Sequence, residues 1–225
     1  MGQAIGDFLP LALGVALSPV PIIAVILMLF SPRASSNAPA FLAGWLLGLA
    51  VLGAIILLAA SGADASEDEG TSDVIDMIKI ALGVLLLLVA LRQWQGRPKA
   101  GEQPAMPGWM SAIDSFTAAK AMGIGVLLAA VNPKNLALTA AAAAGIAQAG
   151  LDDGEEWLSL LIFVLIGSLT VGVPVIYYFV AGEGARATLD TWRAWLGENN
   201  AAVMAVLLLV FGVVILGQGL SGLSD

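Results

Sequence analysis

The stretch Leu128-Ala-Ala-Val-Asn132-Pro133-Lys134-Asn135-Leu136 sits in the middle of an apolar run covering about residues 121–149. Proline removes a backbone donor and clashes with the preceding turn. A polar residue directly before proline is also a helix-start signal, because its side chain can cap and proline suits the first helical position. A second stretch, Gly14-Val-Ala-Leu-Ser18-Pro19-Val20-Pro21-Ile22, reads the same way 114 residues earlier. Either break alone is compatible with a proline kink. Two breaks at matched places point instead to two helices that stop and restart in mid-span. Each restart should leave unpaired amides with partial positive charge. Such backbone is tolerated in a membrane only where protein or a water-filled cavity covers it.

The chain around these breaks is built for a bilayer. Of its 225 residues 59% are hydrophobic and 12% charged, with a mean hydropathy of +0.94. A soluble domain carries about 25% charged residues. Apolar runs fall at about 5–30, 38–60, 74–91, 121–149, 157–181 and 200–220. Each matches the roughly 20 residues needed to cross a membrane. The run from 5 to 30 has no basic residue before it and is too long for a signal-peptide core, so it reads as the first span. The expected fold is an all-α membrane protein with six transmembrane helices in two three-helix repeats, helices 1 and 4 being broken. Residues 1–92 form the first repeat, 93–120 a linker rich in proline and glycine, and 121–225 the second. An odd number of spans per half inverts the second half, as in inverted-repeat transporters.

Charge sorts by side. Arg33, Arg92, Arg97, Lys99, Lys120, Arg186 and Arg193 all lie in loops on one side. The opposite loops carry no Lys or Arg, but Asp64, Glu67, Asp68, Glu69, Asp73, Asp152, Asp153, Glu155 and Glu156. By the positive-inside rule the linker is cytoplasmic and both termini lie outside. The net charge of −8 is then mostly a solvated outer face, and it argues against a nucleic-acid partner. The chain has no Cys and no His. Thiol redox chemistry, thiolate or imidazole metal sites and most catalytic constellations are excluded, so neither an enzyme nor a metal site is expected.

Lys134 is the exceptional residue. A lysine at mid-span costs about 2.5–3.5 kcal/mol on insertion scales, and either interface is far for snorkelling. With two half-helix starts it would make a positive focus suited to an anionic group. A buried amine can also exchange a proton, so coupling to a proton gradient is the companion expectation. The candidate binding residues are Ser18, Pro19, Pro21, Asn132, Pro133, Lys134 and Asn135. Ser168 and Thr170, beside Gly167, Gly172 and Pro174, mark another kink and a possible path. Asp76 and Lys79, three residues apart on one helix face, should form an interfacial ion pair, with an external gate as the lesser reading. Asp7 suits a helix start. Gly44-x-x-x-Gly48 should pack closely against a neighbour. Trp45, Trp157, Trp192 and Trp195 should line the interfaces, and residues 183–198 should form a short helix on the inner surface.

The paired Ser-Pro-x-Pro and Asn-Pro-Lys-Asn breaks in two three-span halves resemble the LysE superfamily of exporters. Within it, "GDFLPLALGVALSPVPIIAVILML", "FLAGWLLGLA" and "GVLLAAVNPKNLAL" are similar to the GAP branch, which includes the sulfolipid-addressing proteins. The resemblance covers nearly the whole chain. It implies six helices, a cytoplasmic-membrane location, a homodimer, and export of envelope glycolipids or related amphiphiles. The function expected is a secondary exporter working by alternating access on a small or amphiphilic, anionic, glycolipid-related molecule, with no cofactor and no ATPase motif. Two alternatives stay open: an accessory subunit of a larger envelope lipid-export machinery, and an exporter of amino acids or other metabolites.

Overall fold

Pro19 and Pro133 each open a new helix, as their missing donors and fixed φ dictate. In the computed structural model, which describes residues 1–64, 70–97 and 108–223, α1 (Gly2–Ala16) is followed by α2 (Pro19–Phe30) at a bend of 52°. Next come α3 (Ala34–Asp64) and α4 (Gly70–Gln95). After a 3-10 turn at Gly108–Ser115, α5 (Ala118–Ala130) meets α6 (Pro133–Ala147) at 64°. The chain finishes with α7 (Asp153–Gly167), α8 (Leu169–Ala181) and α9 (Ala185–Gly222). Every element among the described residues is helical.

Three helical stretches, Ala34–Ser61, Asp76–Gln95 and Leu169–Gly222, are long and apolar enough to cross a membrane, and there are five if each bent pair counts as one span. Their outward faces are apolar, with Leu58, Leu88, Ile176 and Val213 among the exposed side chains. The stretch Leu169–Gly222 is not one rod. Gly182 has φ +58, a left-handed value that glycine reaches without a Cβ clash, and Tyr177 stacks on Trp192 with centroids 6.2 Å apart. The chain therefore doubles back between α8 and α9.

The main seams use small residues. A Cβ on Gly44 would strike the backbone carbonyl of Met122, and one on Gly125 the carbonyl of Phe41. The Gly44/Gly48 face thus packs directly on α5, as expected. Along α4 and α9 the contacts run antiparallel: Gly83 faces Leu216, and Gly219 faces Asp76 and Ile80. Strong packing also joins α1 to α6 and α7, and α3 to α6.

Four expectations need correction. Trp45 is wholly buried, because its face of α3 meets α5 at Gly125; Trp157, Trp192 and Trp195 are exposed. The linker is partly folded. Met110, Ile113 and Phe116 are buried, and Arg33 Nη1 and Asn37 Nδ2 donate to Phe116 O at 3.1 and 3.0 Å. Residues 98–107 of the linker, with Lys99, and residues 65–69 of the acidic loop, with Glu67, Asp68 and Glu69, lie outside the described residues. Asp7 does not start a helix, since α1 begins at Gly2 with Met1 as its cap residue. Residues 183–198 are not a separate surface helix: from Ala185 they run continuously into α9, a 38-residue helix about 57 Å long.

Candidate functional site

A helix broken in mid-span exposes its last carbonyls, and these need donors. At the end of α1 side chains supply them. Lys134 Nζ donates to Gly14 O, to Leu17 O at 3.0 Å and to Ser18 Oγ at 2.8 Å. Ser18 Oγ lies 2.7 Å from Val15 O and donates to it. Thr170 Oγ1 donates to Ala16 O, which also accepts Ser18 N at 2.8 Å. Four successive carbonyls, from Gly14 to Leu17, are thus satisfied by Lys134, Ser18 and Thr170. A cation at a helix C-terminus also complements the helix dipole. The Lys134 side chain is 1% exposed, and none of its three partners is a carboxylate. Hydrogen bonds from a charged group are worth about 1.5–3 kcal/mol each. Three of them offset the roughly 2.5–3.5 kcal/mol cost of placing the ammonium there.

The second break is closed by the next residue. Asn135, also buried, donates from Nδ2 to Leu128 O at 3.1 Å, near the end of α5, and its Oδ1 lies 3.4 Å from Ser18 Oγ. Lys134 and Asn135 therefore divide the two broken helix ends between them, Lys134 holding α1 and Asn135 holding α5. Ser18, Lys134, Asn135 and Thr170 form one cluster, with Asn132 at its edge.

The two restarts differ from each other. Asn132 caps α6 as expected, accepting Lys134 N at 3.0 Å. Ser18 is extended at φ −120, as a residue before proline should be, but its side chain caps nothing on α2. It turns back to Val15 instead. Pro19 and Pro21 remove two of the first donors of α2, and Ile22 N reaches Ser18 O at 3.3 Å. The α2 start is therefore poor in free amides, and the positive character of the junction rests on Lys134. The Asn132→Ala substitution should cost about 1 kcal/mol, the usual loss of a cap; thermal unfolding in detergent would measure it.

Ser168 stands apart from this cluster. It separates α7 from α8 and donates to Val164 O at 2.7 Å, so it satisfies its own kink. Gly167 beside it lets the corner approach Val15 and Leu49.

Asp76 and Lys79 form the expected ion pair at 2.8 Å, away from the junction. Lys79 Nζ also donates to Gln148 Oε1 at 3.1 Å, and the end of α9 closes on Asp76 at Gly222. Lys79 faces a polar cavity of 610 Å³ between α1, α6 and α9, with Gln3, Asp7, Gln148, Gln218 and Ser221 on its walls. Leu11 and Ala142, also on its wall, lie about one helical turn from Gly14 and Leu138. There the ring of Phe211 and the Leu138 side chain crowd against Gly14, so the cavity stops short of Lys134. Reading the sequence missed Gln148 and Phe211. A glutamine after an alanine-rich helix and a phenylalanine in an apolar span carry no local signal; only the packing of α6 and α9 on α1 gives them a role.

The family model described as "Sap, sulfolipid-1-addressing protein" matches residues 8–221. No curated protein and no solved structure matches the chain.

Proposed function

The chain belongs to the sulfolipid-1-addressing (Sap) family, and on that premise we propose that it is a secondary exporter of an anionic amphiphile, with the Lys134 junction as its central gate. The family ties the chain to sulfolipid addressing or export, and its apolar helices make it a multi-pass membrane protein. One observation carries the rest: a buried ammonium in the second half of the chain holds the broken end of a helix in the first half. Neutral carbonyls are exchangeable partners for a cation. A sulfate, phosphate or carboxylate group makes the stronger, charge-assisted bond. Arrival of such a headgroup would draw Lys134 off α1 and free α1 to move. The junction then seals when empty and opens when loaded, so that movement of α1 is tied to the presence of cargo.

Our reading keeps six spans in two inverted halves in the cytoplasmic membrane, with termini outside. It takes α7 with α8 as the fifth span and α9 as the sixth. Support comes from the matched bends of 52° and 64° and from seams that join α3 to α5, and α4 to α9, across the halves. The wider likeness to LysE exporters fits the same reading. A proton or other ion gradient would drive the cycle, with Asp76, Lys79 and the polar cavity as the outer exit.

The test is reconstitution of the purified chain in vesicles without ATP. A fluorescent sulfated glycolipid should change leaflets faster than in protein-free vesicles, and an imposed pH gradient should bias its direction. If the glycolipid moves only after a second, co-purifying protein is added, the chain is an accessory subunit and the exporter reading fails.

A further inference from the structure

Thr170 spends its hydroxyl on Ala16 O, and its other side lines a second hollow of opposite chemistry. Between α2, α8 and the first part of α9 lies a groove of 490 Å³, within the size range of small-molecule sites. Ile22, Leu169, Val173, Pro174, Trp192 and Trp195 form its walls. The reversal at Gly182 creates it, because it brings α8 and α9 side by side, joined by the Tyr177–Trp192 stack. The groove is open sideways: Leu169, Val173 and Trp195 are each about half exposed. One end reaches the α1–α2 junction at Thr170 and Ile22. Toward the α8–α9 turn stands Arg186, whose guanidinium lies 5.9 Å from the Phe30 ring, with Glu183 lining the same small hollow at that turn; Arg193, one residue past Trp192, is paired with Asp190 at 2.7 Å.

We propose that this groove binds one acyl chain of an anionic membrane lipid, tail toward Thr170 and headgroup toward Arg186. Two observations select this occupant. The walls offer almost no polar atom, which suits a hydrocarbon chain. The open side faces the apolar surroundings of the helices, where acyl chains are the available material. The rim is mixed in charge, and its Arg186 guanidinium supplies the planar donor fork that suits a phosphate headgroup. This deepens the export reading, and rests on it only in taking the bound lipid to be cargo; acyl binding itself needs no transport.

The experiment uses the purified full chain in liposomes containing a phosphatidylglycerol with a diazirine midway along one acyl chain. After illumination, the adducts are mapped by peptide mass spectrometry. Adducts should concentrate on Val173, Thr191, Trp195 and Leu196, above the level on the more exposed Leu58 and Leu88. Filling the groove with Val173→Phe, or independently Leu169→Trp, should cut the adducts there about fivefold while the melting temperature holds. Lys134→Met should leave them unchanged, so loss of export and loss of acyl binding are separate results. Adducts spread evenly over all lipid-facing helices, adducts unaffected by both filling variants, or a cross-link of α8 to a second copy would each overturn the proposal.

Discussion

The Lys134→Met substitution is expected to leave the chain folded and to stop export. Methionine fills similar volume but donates nothing. Gly14 O and Leu17 O would lose a donor in a buried setting, at about 1–3 kcal/mol each. Removing the buried ammonium returns roughly 2.5–3.5 kcal/mol. The two terms nearly cancel, so thermal unfolding should move little. Function should not be spared, because the group that exchanges helix for headgroup is gone. Lys134→Arg separates charge from geometry. Arg keeps the charge, but its planar fork cannot converge on two carbonyls and a hydroxyl as an ammonium does. Export, read as labelled glycolipid reaching the cell surface, should fall at least about tenfold in both variants. Full export by the Arg variant would mean that charge alone suffices and that the three-acceptor geometry is incidental.

The largest loss of stability is expected in the seam between α3 and α5. In Gly44→Val the new Cβ meets the carbonyl of Met122, and in Gly125→Leu that of Phe41. Backbone cannot swing aside as a side-chain tip can, so the helices must separate. Overpacking of this kind costs about 1–3 kcal/mol, occasionally more. The two positions share one seam, so the double variant should lose less than the two losses added. Gly123 gives the control: it lies in the same helix α5 with open space at its Cβ position. Gly123→Ala should be neutral, or stabilising by up to about 1 kcal/mol. Thermal unfolding in detergent ranks all four variants, and a Gly44→Val protein as stable as the parent would refute the seam.

Much of this was legible in the sequence, for specific reasons. Ser18-Pro19 and Asn132-Pro133 fixed both helix restarts, because proline acts on its own backbone whatever surrounds it. The Asp76–Lys79 pair was legible because three residues is one helical turn. The partner of Lys134 was not. An isolated lysine at mid-span announces that something compensates it, but two of its partners are main-chain carbonyls at a helix end 117 and 120 residues away, and carbonyls leave no mark in a sequence. The role of Ser18 was misread for a related reason: a serine before proline can cap forward or turn back, and Lys134 and Val15 decide which. Trp45 was placed at the interface because tryptophan often sits there, whereas Gly125 in α5 lets the α3 backbone at Trp45 come close and the residue is buried in that seam. The groove could not be foreseen, since Leu169 and Val173 carry no signal of their own in an apolar span and Trp195 was expected at the interface, until the turn at Gly182 brings two helices side by side.

The most direct test compares the parent, Lys134→Met and Lys134→Arg at equal density in vesicles, all shown to be folded. What is measured is the rate at which a sulfated glycolipid crosses between leaflets, beside that of a neutral glycolipid with the same tails. The junction as described predicts protein-dependent crossing of the sulfated lipid, little crossing of the neutral one, and loss of the sulfated flux in both variants. Equal sulfated flux in the parent and in Lys134→Met would contradict it.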